Sequence, residues 1–254
     1  VGLSQGDFST ARDYFEQAYF IFQELGYVSG KGLALTNLGW LTGLLGDYSA
    51  STAYHEQTLI ISREIGNRSM EMYTYINLSA AAGGQGLAQD ALKWAQKALE
   101  FSTKTGDRLG DSWAYFYLGY ACILNAKYND AVQMFLKSIE IRLEINTPVL
   151  IAESHAGLIN AYLKTGNEVL AQKEAEQVLQ YMQINPQFEG AEEPLRIYLA
   201  VFQVLDKTKD LRSNVVLQNA KQLLNTQVSK LRSEEARRMY VENVPWRRDL
   251  YKLI

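Results

Sequence analysis

Two histidines, His55 and His155, and one cysteine, Cys122, are the residues of this 254-residue chain best suited to nucleophilic, acid-base or metal chemistry. Such groups act in company, with a base beside a nucleophile or several ligands around one metal. Neither histidine has a second histidine four residues on, or a cysteine at metal-ligand spacing, so both read as packed or half-exposed helix residues. Cys122 falls on an apolar helix face and reads as a small packed residue. The stretch GYVSGKGLA at 26–34 has a phosphate-loop look, but only three residues separate Gly26 from Gly30, and Gly32 stands where a magnesium-binding Ser or Thr belongs. AAGGQGLA at 81–88 lacks the preceding strand of a dinucleotide fingerprint. Glu192 and Glu193 precede Pro194 at a helix start, where carboxylates favour the helix dipole, and they read as capping. The expectation is a chain that is not an enzyme and holds no cofactor and no metal.

Composition narrows the partners. The chain is 47% hydrophobic and 21% charged with only 4 prolines, a folded composition. Its net charge of −3 gives no global pull toward nucleic acid or anionic lipid, so neither is an expected partner. A single cysteine excludes an intrachain disulfide and fits a reducing, cytoplasmic setting. No apolar run reaches the roughly eighteen residues of a membrane span. The first residues, VGLSQGDFST, carry neither a signal pattern nor an initiator Met, and a piece of a longer protein is expected.

The elements that would position any site repeat. QGDFSTARDYFEQA, LGDYSASTAYHEQT, QGLAQDALKWAQKA, NAKYNDAVQMFLKS and TGNEVLAQKEAEQV align at Gly6, Gly46, Gly86, Ala126 and Gly166, a constant step of 40, and a sixth, degenerate copy starts at Asp206. Five residues beyond each of the first five turns stands a small residue: Ala11, Ser51, Ala91, Ala131 or Ala171. Four further on come Phe15, His55, Ala95, Phe135 and Ala175, on the same helical face. Upstream of each turn runs a second helical pattern, with close-packing points at Leu38-Gly39, Leu78-Ser79 and Leu118-Gly119. Gly26, Gly66, Gly106 and Asn146 then close the second helix of each pair as left-handed stops. Each unit is a pair of antiparallel helices.

This order of residues resembles the tetratricopeptide repeat (TPR) in its 40-residue variety. The resemblance implies an all-α, right-handed superhelix, an α-α solenoid of about five and a half helix-hairpin repeats with a C-terminal helical cap. The repeats fall at about 1–28, 29–68, 69–108, 109–148, 149–190 and 191–232, with capping helices over 233–254. It also implies a concave groove lined by first-helix positions. These are Leu33, Thr36, Asn37 and Trp40; Tyr73, Ile76, Asn77 and Ala80; Trp113, Phe116, Tyr117 and Tyr120; Glu153, Ala156, Gly157 and Asn160. The expected peptide or ligand contacts among them are Asn37, Trp40, Tyr73, Asn77, Trp113, Phe116, Tyr117, Tyr120 and Asn160. Aromatic side chains are rigid anchors and asparagine pairs with a peptide backbone, although aromatics at helical spacing also read as core. The Lys-Asn-Arg clamp for chaperone C-termini is not matched, because Trp113 and Tyr117 stand where cations belong.

The tail EEARRMYVENVPWRRDLYKLI is similar to the ends of TPR regions in large bacterial STAND-type signalling ATPases and regulators. That likeness implies a noncatalytic sensor or oligomerisation arm that binds a protein or peptide partner, or a second copy of itself; the alternative is a free-standing scaffold organising partner proteins. Within the tail, Ser233 caps a helix favoured by Glu234 and Glu235, Met239 and Tyr240 give it an apolar face, and Pro245 ends it. Trp246, Leu250 and Tyr251 fit a lid over the last repeat. Arg237, Arg238, Arg247 and Arg248 read as the solvated side of that lid.

Overall fold

Four of the turns use one two-residue device. At Gly46-Asp47, Gly66-Asn67, Gly106-Asp107 and Gly166-Asn167, a glycine with φ between +66° and +85° stops one helix. The next residue then caps the following helix by accepting the backbone N–H three positions on, from Ala50, Met70, Gly110 and Leu170. The stop also recovers orphan carbonyls: Gly46 N–H donates to Gly43 and Asp47 N–H to Thr42. Ala126 and Asn146 adopt the same left-handed conformation without being glycine, at φ 57° and 52°.

A computed structural model describes residues 8–253. The helices are α1 (Phe8–Glu24), α2 (Val28–Leu44), α3 (Tyr48–Glu64), α4 (Arg68–Gly84), α5 (Ala88–Thr105), α6 (Arg108–Leu124), α7 (Tyr128–Glu144), α8 (Pro148–Lys164), α9 (Glu168–Ile184), α10 (Pro194–Lys207), α11 (Arg212–Ser229), α12 (Glu234–Glu242) and α13 (Pro245–Tyr251). Consecutive helices pack as hairpins, and no strand occurs among the described residues. The architecture is the all-α solenoid expected. The turn expected at Gly6 lies outside the described residues.

Within a hairpin, volume is exchanged between facing positions. Where the first helix offers Gly39 or Gly119, the second brings His55 or Phe135, and a Cβ on either glycine would come within 2.6 Å of that ring. Phe135 also leans on Gly157 of the next repeat, wedged between two first helices. Where the first helix carries Ser79 or Ile159, the corresponding second-helix residue shrinks to Ala95 or Ala175, both wholly buried. The glycines of the stretch at 26–34 are part of this packing. Gly30 and Gly32 are buried in α2, Gly30 against Phe22 and Tyr27.

Two departures shape the site. The first is a slip in the beat. The α9–α10 connection spans residues 185–193, with Phe188 (φ 52°) buried against Tyr181 and Tyr198 and Gly190 at φ 90°. The left-handed residue of the last hairpin is therefore Lys209 (φ 57°), 43 positions after Gly166, rather than the Asp206 that a constant step gives. The second is α10, in which Leu195 to Leu205 are buried at every position but Gln203. A helix apolar all round is a core helix, and α10 lies enclosed by α8, α9, α11 and α13.

The cap does more than cover the last repeat. Phe8 of α1 packs on Tyr240 of α12 with ring centroids 5.9 Å apart, and Arg232 pairs with Asp13 at 3.1 Å. Asn243 donates to the Gly46 carbonyl at the α2–α3 turn. The C-terminal helices thus cross the concave side and dock on the first hairpins. Phe8, Ala11 and Leu41 share one core cluster with α8–α13.

Candidate binding site

Closure brings the start of α10 against the inner wall. Both oxygens of Glu192 are engaged by residues from distant repeats: Trp40 Nε1–H donates to one at 3.1 Å and the Tyr117 hydroxyl to the other at 2.5 Å. Both oxygens of Glu193 are engaged by the cap, Trp246 Nε1–H at 3.0 Å and Arg247 Nη2 at 2.5 Å. Glu192 and Glu193 stand at the helix start as expected but do not cap it with their side chains, which are drawn to these donors instead. The capping role belongs to Glu153 of α8, whose Oε1 accepts the N–H groups of Glu192 and Glu193 at 2.7 and 3.2 Å.

The charges here are buried. Arg142 and Glu153 are at most 1% exposed, with closest atoms 4.0 Å apart. Arg142 donates to the Leu150 carbonyl and the Ser154 hydroxyl, and its guanidinium lies 4.4 Å from the Trp113 ring. Burial pushes the Glu153 carboxyl up to about 7 and draws Arg142 down to about 10. The Glu193 carboxyl is raised by burial, with Arg247 opposing. Arg247, expected on the solvated side of the lid, is 2% exposed and also donates to the Leu44 carbonyl at 2.6 Å. Its guanidinium sits 3.7 Å from the Tyr240 ring centroid. Helix closure against α2 turns that face of α13 inward, while Arg237, Arg238 and Arg248 stay exposed.

Between α2–α6 and the start of α10 and α13 remains a cavity of about 210 Å³. Of the wall residues singled out in the sequence, Trp40, Asn77, Ala80, Tyr117 and Tyr120 line it. Asn37, Tyr73, Trp113 and Asn160 are half-buried and stand outside its lining. Phe116 is wholly buried, boxed by Trp113, Tyr117, Tyr120 and Phe135, and offers no surface to a ligand. The cavity also gathers residues that were not expected on the groove wall: Tyr48, Glu192, Glu193, Arg196 and Trp246. A readable signal for Arg196 existed, since one cation in the apolar run PLRIYLAVFQVL must enter the core with it.

His55 lines the cavity floor, 1% exposed, with Nδ1 lacking a hydrogen-bond partner, and burial draws it down to about 4. His155 pairs with Glu174 at 2.7 Å in another repeat. Cys122 is buried, which raises its thiol. Among the described residues no group of three or more metal-binding side chains comes together. No helix among them is long and apolar enough to cross a membrane. The arrangement is suited to holding a ligand by apolar contact and hydrogen bonds.

Solved structures share this fold. BtubC (BKLC) from P. vanneervenii superposes with a TM-score of 0.67 at 14% identity, covering 89% of this chain and 94% of that one. A Rap protein complexed with competence and sporulation factor gives 0.68 at 16% identity, covering 99% and 72%. NprR in complex with its cognate peptide NprX gives 0.66 at 16% identity, covering 96% and 67%. No curated protein sequence matches the chain. Tetratricopeptide repeat family models match residues 33–65 and 70–144. The chain therefore carries tetratricopeptide repeats over the matched residues, and its helix hairpins continue through α11.

Proposed function

We propose that this chain is a noncatalytic interaction module that binds a peptide or an exposed segment of a partner protein on its concave side. The observation that carries this reading is the inner-wall cavity, where Trp40, Asn77, Tyr117 and Tyr120 converge from three successive first helices. Aromatic rings supply rigid contact area there, and the Asn77 amide both donates and accepts. Two of the similar structures, Rap and NprR, are complexes with a factor and a peptide, which supports the same use of the fold here. The tail ENVPWRRDL supports placing the module at the C-terminal side of a larger bacterial signalling ATPase, with self-association as a further mode of engagement.

Selection of a displayed random-peptide library on the purified protein tests this. Peptides retained by the wild type are expected to lose at least ten-fold in affinity on a Trp40→Ala, Asn77→Ala double variant that melts cooperatively. Peptides that bind the double variant equally well would remove the concave wall from the reading.

A further inference from the structure

Arg196 is the cation of the cavity lining. It is 7% exposed, yet its Nη2 has no hydrogen-bond partner. The guanidinium carbon is held 4.3 Å from the Tyr120 ring, 4.9 Å from Trp246 and 5.1 Å from Phe116, an aromatic cage that fixes a cation without using its N–H groups. All four oxygens of Glu192 and Glu193 accept bonds from Trp40, Tyr117, Trp246 and Arg247, and Glu153 Oε2, itself without a hydrogen-bond partner, does not reach Arg196 Nη2. A buried donor without an acceptor is destabilising, and a charged one more so. The Tyr48 hydroxyl, also unpartnered, lines the same cavity.

The remaining lining is apolar: Leu44, Ala80, Ile123 and Leu124. A dry cavity of about 150 Å³ accepts benzene, so about 210 Å³ has room for roughly eight to ten heavy atoms. Arg142, Arg196 and Arg247 face Glu153, Glu192 and Glu193, and the Glu153 carboxyl, pushed up to about 7, is only partly ionised at neutral pH.

We propose that this cavity binds a small apolar carboxylate, its body among Trp40, Leu44, Leu124 and Trp246 and its carboxylate on the guanidinium of Arg196. An arginine fork matches a carboxylate better than it matches a neutral oxygen, so the head group supplies selectivity and the pocket supplies burial. The site is set by the cavity's own dimensions and polar groups and does not depend on which protein the module engages.

Titration calorimetry with octanoate and 1-octanol, which share a body and differ in the head, tests it at pH 7. The wild type is expected to bind octanoate at least ten-fold more tightly than octanol. Arg196→Gln should erase that preference, and Ala80→Met, which fills the cavity, should weaken both ligands at least ten-fold. Absence of octanoate binding at millimolar concentration, or a preference that persists in Arg196→Gln, overturns the proposal. Should Arg196→Gln fail to fold, the readout is the melting temperature. A rise with octanoate but not octanol, present in the wild type and absent in Ala80→Met, supports the site; equal rises in both proteins, or none, overturn it.

Discussion

Replacing Arg247 by methionine removes the strongest tie between cap and inner wall while keeping a long apolar stem. Arg247 is 2% exposed and its guanidinium makes four interactions: Glu193 at 2.5 Å, the Leu44 carbonyl at 2.6 Å, the Tyr240 carbonyl at 3.4 Å and the Tyr240 ring at 3.7 Å. Without it, Glu193 keeps only the Trp246 N–H, at 3.0 Å. Breaking one side of a buried ion pair costs about 3–5 kcal/mol, chiefly because the other charge stays buried and uncompensated. Glu193→Gln preserves an acceptor for Trp246 and should cost about 2–4 kcal/mol on the same reasoning. The double variant strands no charge, so its loss should fall at least about 2 kcal/mol short of the sum of the single losses. Urea unfolding followed by circular dichroism gives the cycle, and hydrogen exchange over 234–251 shows whether α12 and α13 open first. Additive losses, or an Arg247→Met loss below about 1 kcal/mol, would refute the claim that this pair holds the solenoid closed.

Three other outcomes follow from particular contacts. Gly119→Ala places a methyl within 2.6 Å of the Phe135 ring and should cost about 1–3 kcal/mol in thermal or urea melts, with Phe135→Leu in the same chain recovering part of it. Ala126→Gly relieves a left-handed alanine at φ 57° and should raise stability by about 1 kcal/mol, whereas Gly86→Ala at the equivalent turn should lower it comparably. For pH, the folded Glu153 carboxyl is pushed up to about 7 from an ordinary 4.5, so its protonated form favours the folded state. That contribution is complete below about 4.5 and is lost as pH rises through about 7, on the order of 3 kcal/mol. His55, drawn from 6.5 to about 4, acts the other way as pH falls between those values, so the comparison must be made against Glu153→Gln. The wild type minus the variant should lose stability between pH 5 and 7.5 by urea midpoint; a flat difference counts against the assignment.

The hairpins were legible because their determinants are local. A left-handed stop, a cap residue and a small residue five positions on each act within about two helical turns, so Gly46-Asp47-Ser51 and Gly166-Asn167-Ala171 announce themselves. The site was legible only in part, since it depends on which helices meet after the superhelix turns. Trp40, Asn77, Tyr117 and Tyr120 were readable as inner-wall positions, but Phe116, one residue before Tyr117, faces the hairpin interior and not the groove. Nothing periodic marks the pairing of Glu192 with Trp40, 152 positions apart. The slip at 185–193 is equally opaque, because it rests on Phe188 accepting a left-handed backbone in exchange for burial between Tyr181 and Tyr198. Arg247 illustrates the limit of charge reading. In an arginine pair its neighbour Arg248 is exposed while it is buried, and only the surface that α13 meets decides which.

Closure of the solenoid changes how the molecule should fold and come apart. In an open repeat array each unit touches only its neighbours, so stability adds along the chain and the ends fray independently. Here Arg232 meets Asp13 across 219 positions and Asn243 meets Gly46 across 197. Such contacts form only after most of the intervening hairpins exist, which raises contact order and delays the last step. Once formed, they tie the first described hairpins to the last helices. The expected behaviour is a single sharp unfolding transition preceded by a slow final docking phase on refolding, with the terminal helices exchanging their amide protons no faster than those in the middle of the array.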